Sequence, residues 1–201
     1  MKPDSSYPLL QHGDHKQTPS CWTTGWIERL PVGLSLLDVA SGYGRHSLLA
    51  DKLGFKVTAV DQDPKAIDFL NNCRINAVCA DLEKSDIDLG KQSQLSGQFD
   101  CVVVTNYLWR PRWFQLMRWL KPDGVLIYET FADGHASYGR PARPDFLLRD
   151  GELLTRCRQF GLQIIAFEDG VELHPNPVRV QRVCAIGPTR KRDSLILKYQ
   201  D

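Results

Sequence analysis

The sequence lacks any surplus of charge: 25 Lys and Arg stand against 24 Asp and Glu, for a formal net charge of +1. Proteins that hold nucleic acid or an anionic membrane through their own field usually carry an excess of basic residues, so neither partner is expected. No apolar run is long enough to span a bilayer. Met1 to Gln17 has no apolar core of the secretory kind, so no such signal is expected there. Cysteine is present but unpaired in pattern: Cys21, Cys73, Cys79, Cys101, Cys157 and Cys184 include no C-x-x-C. That spacing argues against a zinc or disulfide framework and for reduced, partly buried thiols in the cytoplasm. No metal site, internal repeat or low-complexity segment is expected.

At 201 residues the chain is long enough for one domain with a real core. Its organising stretch runs from Ser35 to Ser47. Leu36, Leu37 and Val39 read as a buried strand, Gly42 and Gly44 as a tight turn, and Leu48, Leu49 and Leu53 as the start of a helical stripe. Glycine lets a backbone approach a ligand, and the free N–H groups of a helix start favour polar or anionic groups. A second apolar run, Val57 to Val60, ends at Asp61, nineteen residues after Gly42. An acid there can accept both hydroxyls of a ribose. Together these point to a nucleoside-cofactor pocket.

Residues 1–19 read as an irregular polar arm whose His12 and His15 are solvated. A short helix over Ser20–Leu30 puts Trp22, Trp26 and Leu30 on one face, as a cap on the sheet or a lid over the pocket. Asp63 and Pro64 read as N-cap and first residue of another helix. Ile75 to Cys79 reads as a third strand, and 83–97 as a surface connection. Phe99 to Thr105 has the β-branched composition of a central strand buried on both faces. A helix follows Pro111, with Trp113, Leu116, Met117 and Leu120 as its apolar stripe. Lys121 to Gly124 reads as a turn feeding a fifth strand, Val125 to Thr130. Phe131 to Asp150 is a long loop of the length that usually serves function. Asp150 is placed to cap the last helix. Leu162–Phe167 and Val178–Ile186 then form an antiparallel pair joined through Asp169-Gly170, with His174 in a rigid turn. The domain is expected over 20–187, followed by a charged tail at 188–201.

The run Asp38-x-Ala40-x-Gly42-x-Gly44 resembles the D/E-x-G-x-G-x-G motif of class I S-adenosylmethionine (SAM) dependent methyltransferases, with Ala40 in place of the first glycine. Val60-Asp61, Ala80-Asp81-Leu82 and Phe99 to Tyr107 followed by Leu120-Lys-Pro-Asp-Gly-Val-Leu126 match that family in order. Within the class, size and motif look most like the tellurite-resistance methyltransferase group, which acts on small, soft nucleophiles. The resemblance implies an α/β, Rossmann-like, mostly parallel doubly wound sheet of seven strands in the order 3-2-1-4-5-7-6, the last strand antiparallel. It also implies SAM as cofactor and a small-molecule substrate, in a monomer or homodimer.

On that basis Asp38, Ala40, Gly42, Gly44, Asp61, Gln62, Asp81, Leu82 and Asn106 are the expected cofactor residues. Asp81 has a second reading as the cap of the next turn. Tyr107 and His135 are the catalytic candidates; Tyr107 alternatively only covers the cofactor, and His135 acts as a base if its loop folds inward. Asn106, Trp109, Tyr138, Arg140 and Arg143 are the expected substrate residues, arginine forks suiting oxyanions. Each loop arginine can equally be a solvated surface charge. Two other functions stay open: a SAM-binding regulatory module without turnover, and an NAD-dependent oxidoreductase, which shares the glycine turn and acid.

Overall fold

The computed structural model describes residues 18–84, 95, 97–173 and 176–195. The expectations for the N-terminal arm, most of the 83–97 connection, His174 and the end of the tail lie outside that set. The order is α1 (Cys21–Ile27), β1 (Ser35–Val39), α2 (Arg45–Lys52), β2 (Lys56–Asp61), α3 (Pro64–Asn72), β3 (Asn76–Cys79), β4 (Phe99–Thr105), α4 (Trp113–Trp119), β5 (Leu120–Phe131), α5 (Glu152–Gln159), β6 (Gln163–Glu172) and β7 (Val178–Ile186). They form one seven-stranded sheet in the order β3-β2-β1-β4-β5-β7-β6. β7 runs antiparallel to both β5 and β6, and the other pairings are parallel.

Alternation along the central strands builds two cores, because successive side chains leave a strand on opposite faces. Leu37, Val39, Val102, Val104, Leu126 and Tyr128 face α4 and α5, against Trp113, Leu116, Trp119, Leu153 and Cys157. Leu36, Cys101, Val103, Val125, Ile127 and Cys184 face the other layer, against Trp26, Ile27, Ala50 and Leu70. This is the doubly wound arrangement, and it sends every parallel strand's carboxyl end to one rim. Among the described residues no helix is long and apolar enough to cross a membrane.

Five details differ from expectation. α1 ends at Ile27, with Ser20 as its N-cap, rather than running to Leu30. α4 ends at Trp119, so that Leu120 opens β5 instead of completing the helical stripe. The expected Lys121–Gly124 turn is absorbed into β5, where backbone bonds from Gly187 to Gly124 and from Thr189 to Pro122 extend the ribbon. Asp169-Gly170 lies inside β6, paired with Gln181 and Val180, because the hairpin continues well past the apolar run. The N-cap of α5 is Gly151 at φ 58°, not Asp150.

Candidate active site

The chain leaves β1 through a turn with three left-handed residues: Ala40 (φ 54°), Gly42 (φ 53°) and Gly44 (φ 72°). Gly44 is fixed twice over. Its φ disfavours a side chain, and a Cβ there would sit 2.3 Å from Leu70 Cδ2 of α3. Gly42 differs, since nothing lies within 4 Å of an added Cβ. The backbone therefore faces open space at the expected cofactor position.

Asp61, at the end of β2, braces this turn. Its Oδ2 accepts from the Gly42 N–H at 2.7 Å and its Oδ1 from the Asp63 N–H at 2.9 Å. Each oxygen keeps a lone pair for another donor. Asp38 is 1% exposed; its Oδ2 accepts from Ser47 Oγ at 2.6 Å, while Oδ1 has no partner. Burial pushes its carboxyl up to about 6, against the Ser47 bond and the charge of Arg45. Gln62 is exposed beside Asp61, its carbonyl facing Cys79 Sγ. Asp81 Oδ1 accepts from the Glu83 N–H at 3.0 Å, so it does cap the following turn. Leu82 is buried, and its carbonyl is held by Arg112 Nε at 2.8 Å.

At the end of β4, Asn106 is exposed at φ 54°. The Tyr107 carbonyl accepts from Tyr128 Oη at 2.7 Å, and the Tyr107 hydroxyl itself is buried without a partner. Burial raises that phenol, and Glu83, Asp81 and Asp61 add to the effect while Arg112 opposes it. The hydroxyl thus lies among the acids of the nucleoside side and stays protonated at neutral pH. Trp109 is half-buried, just before a 3-10 turn over Arg110–Arg112.

The long loop is tied down. A parallel bridge between Ala132 and Leu148 closes its base. His135 is 2% exposed and stacks on Phe131 at 4.3 Å. Its Nδ1 accepts from the Arg179 N–H at 3.2 Å and its Nε2 faces the Arg140 carbonyl at 3.2 Å. Both ring nitrogens are spent on backbone, so His135 anchors the loop and is not placed as a base. Tyr138, Arg140 and Arg143 are exposed, and Arg143 pairs with Asp145 at 3.2 Å. Sequence reasoning missed the residue that holds the loop's far side. Arg110 meets Glu152 bidentately at 2.8 and 2.6 Å and also reaches the carbonyls of Asp145 and Leu147 at 2.8 Å.

A second group, assigned no role from sequence, links α1, α2, β4, β5 and β7. Ser20 N–H donates to His46 Nε2 at 3.0 Å, and Ser20 Oγ donates to Glu129 Oε2 at 2.8 Å. His46 Nδ1 lies 3.3 Å from Thr105 Oγ1. Burial first, and Arg45 second, lower the His46 imidazole to about 3, so it is neutral. Burial raises the Glu129 carboxyl despite Arg182 and Ser20. Glu129 was visible as an acid at a strand end. Its neighbour Arg182 was not, because only the antiparallel register brings them opposite each other.

Residues 36–124 match the model of the methyltransferase domain family. The fold is shared with TehB from Haemophilus influenzae (TM-score 0.60, 20% identity, 77% of this chain and 58% of that one). It is shared too with a TehB-like SAM-dependent methyltransferase from Corynebacterium glutamicum (TM-score 0.57, 18% identity, 84% and 89%). Residues 36–124 are thus similar to a methyltransferase domain, and the whole sheet has the fold found in these SAM-dependent methyltransferases. The [4+2]-cyclase SpnF has this fold as well (TM-score 0.61, 17% identity, 83% and 79%). No curated protein matches the sequence.

The residues at this site fit SAM, the cofactor that a methyltransferase domain implies. The open space at Gly42 admits a ligand against the turn, Asp61 keeps unclaimed lone pairs, and buried Asp38 Oδ1 lacks a donor. Among the described residues no group of three or more His, Cys, Asp or Glu is placed to hold a metal ion.

Proposed function

We propose that this protein transfers a methyl group from SAM to a small-molecule nucleophile in the cytoplasm, as a monomer or homodimer, with residues 20–187 as the catalytic domain. The observation that carries the proposal is the Asp61 brace on the glycine turn. Asp61 accepts the ribose hydroxyls with its free lone pairs, Asp81 and Leu82 border the adenine, and Asp38 Oδ1 accepts a donor reaching down through the turn. Gly42 and Gly44 admit the ligand, Ala40 and Gln62 flank it, and Asn106 lies where the cofactor and acceptor meet. Bound SAM supplies a methyl already activated by a positive sulfur. The chain's task is then alignment and exclusion of water, which needs no strong base.

On the acceptor side, Trp109, Tyr138, Arg140 and Arg143 border the rim, with His135 fixing the loop that carries the last three. Tyr107 encloses the nucleoside end. The balanced charge supports a small acceptor over nucleic acid. The fold alone does not fix methyl transfer, since a [4+2]-cyclase has it too; a SAM-binding module without turnover is the second reading.

Calorimetric titration with S-adenosylhomocysteine, with NADH as control, tests the cofactor half. Binding of the first alone is expected; binding of NADH alone, or of neither, overturns it. Product analysis after incubating the protein with SAM and a panel of thiols, amines and oxyanions tests turnover. A bound cofactor with no methylated product from the panel favours the module without turnover.

A further inference from the structure

His46 joins three elements through one ring. It stands in the first turn of α2, directly after the glycine turn, and is 1% exposed. The Ser20 N–H donates to its Nε2 at 3.0 Å, and Thr105 Oγ1 lies 3.3 Å from its Nδ1. These partners fix the tautomer. A backbone N–H can only donate, so Nε2 is the acceptor, and a neutral imidazole then carries its hydrogen on Nδ1. Burial lowers this imidazole to about 3, so the neutral form is the one present. Nδ1–H therefore donates to Thr105 Oγ1, and a hydroxyl that accepts there still has its own proton to give.

Thr105 ends β4 and is 8% exposed, and among the described residues its hydroxyl bonds only His46. Glu129, level with it on β5, takes its hydrogen bond from Ser20 Oγ instead. A donor left without an acceptor in such a place is costly. Here it stands at the switch point of the sheet, between β1 and β4, where α/β sheets take their ligands. Val39 pairs with Val104, so Thr105 is level with Ala40 at the start of the glycine turn. From Asp61 on β2 to Thr105 the sheet steps over β1, two strand spacings or about 10 Å. With the ribose at Asp61, that step leads to the other end of the cofactor, its amino acid. The same corner favours an anion. Arg45, next to His46, is half-buried, and no side-chain cap serves the start of α2.

We propose that His46 is a positioning residue for the cofactor: held in its Nδ1–H tautomer by Ser20, it turns the Thr105 hydroxyl into a donor to the carboxylate of the cofactor's amino-acid end. Thr105 makes the contact and His46 sets its polarity. α1 takes part through one backbone N–H, which ties the start of that helix to the cofactor turn. The proposal rests on the SAM reading for its ligand, whereas the tautomer is a property of the chain alone.

NMR of the full chain with ¹⁵N-labelled histidine reads the tautomer directly, His46 being the signal lost in His46→Gln. A bare Nε2 and a protonated Nδ1 are expected; the reverse tautomer, or an imidazolium, overturns the proposal. Calorimetry then compares S-adenosylhomocysteine with 5′-methylthioadenosine, which keeps the nucleoside and the sulfur but has no amino acid. Thr105→Val is expected to lower the ratio of the two affinities about tenfold, as for one hydrogen bond to a charged group, and Thr105→Ser to restore it. His46→Leu should lower the ratio too, and adding it to Thr105→Val should lower it no further. Ser20 has a φ of −60°, which proline adopts. Ser20→Pro removes the N–H and should therefore cost more of the ratio than Ser20→Ala, which keeps it; this comparison serves even where a His46 variant does not fold. Independent losses from His46 and Thr105 would overturn the proposal. If both nucleosides bind and Thr105→Val leaves their ratio unmoved, this assignment fails alone; if neither binds the parent chain, the SAM reading fails and takes the assignment with it.

Discussion

Asp38 sits where a charge is costly. It is 1% exposed, with one oxygen bonded to Ser47 and the other unpartnered. Its carboxyl rises from 3.8 to about 6, so the folded chain holds the proton more tightly than the unfolded one. Between about pH 4 and pH 6 unfolding therefore releases a proton, and rising pH favours the unfolded state. Over that window this group alone should remove about 3 kcal/mol of stability. Asp38→Asn should abolish that slope: urea unfolding of the two proteins at pH 4 and pH 7 should show the variant gaining on the parent by about that amount. A pH-independent difference would remove Asp38 as the source. Ala40 shows how far such detail was legible. In sequence it is only a departure from a glycine motif; in the fold it occupies a left-handed conformation, φ 54°, that costs an ordinary residue about 1–2 kcal/mol. Asp61 was legible because an apolar run ended at it at the right distance from the turn. The direction of the Tyr107 hydroxyl was not, because side-chain periodicity stops where the strand stops. Nor was the engagement of both His135 nitrogens, which depends on backbone groups at Arg140 and Arg179.

Among the elements, apolar periodicity located the strands and helices well but not their ends. β6 runs on through Glu168, Asp169 and Gly170 because β7 offers it a continuous antiparallel partner, and polar residues at a sheet edge carry no apolar signal to mark the extension. The long loop gave the opposite case. Its length and arginines suggested a segment free to serve the substrate, yet Arg110 joins it to the start of α5 by two bonds to Glu152 and two to loop carbonyls. The guanidinium fork makes this possible, since one side chain bonds a carboxylate edge and two carbonyls at once. A lysine keeps the charge and loses the fork. Arg110→Lys is thus expected to cost about 1–2 kcal/mol and to raise hydrogen exchange at the Leu147 and Leu148 amides, which bond Pro144 and Phe131. Unchanged exchange there would show that the Ala132–Leu148 bridge holds the loop unaided.

At the scale of the whole molecule, alternating strands and helices argued for a parallel sheet covered on both faces. The strand order came from the family resemblance, since no local pattern says that β4 pairs with β1 rather than with β3. The sheet welds two cores that share no side chain, and buried thiols report on each: Cys101 and Cys184 on the face of α1 to α3, and Cys157 on the face of α4 and α5. Burial raises all three thiols, so they react only when the fold opens. Cys21 and Cys79 are exposed and should alkylate at once in the native protein. If the two cores are one cooperative unit, Cys101 and Cys157 should label at the same slow rate. S-adenosylhomocysteine at 100 times its Kd should slow both by about a hundredfold, the factor by which a ligand of the folded state depletes the open one. Mass spectrometry of quenched time points reads each site separately. Protection of Cys101 with Cys157 unmoved would mean that α5 opens on its own, so that the cofactor stabilises one layer of the fold and not the whole of it.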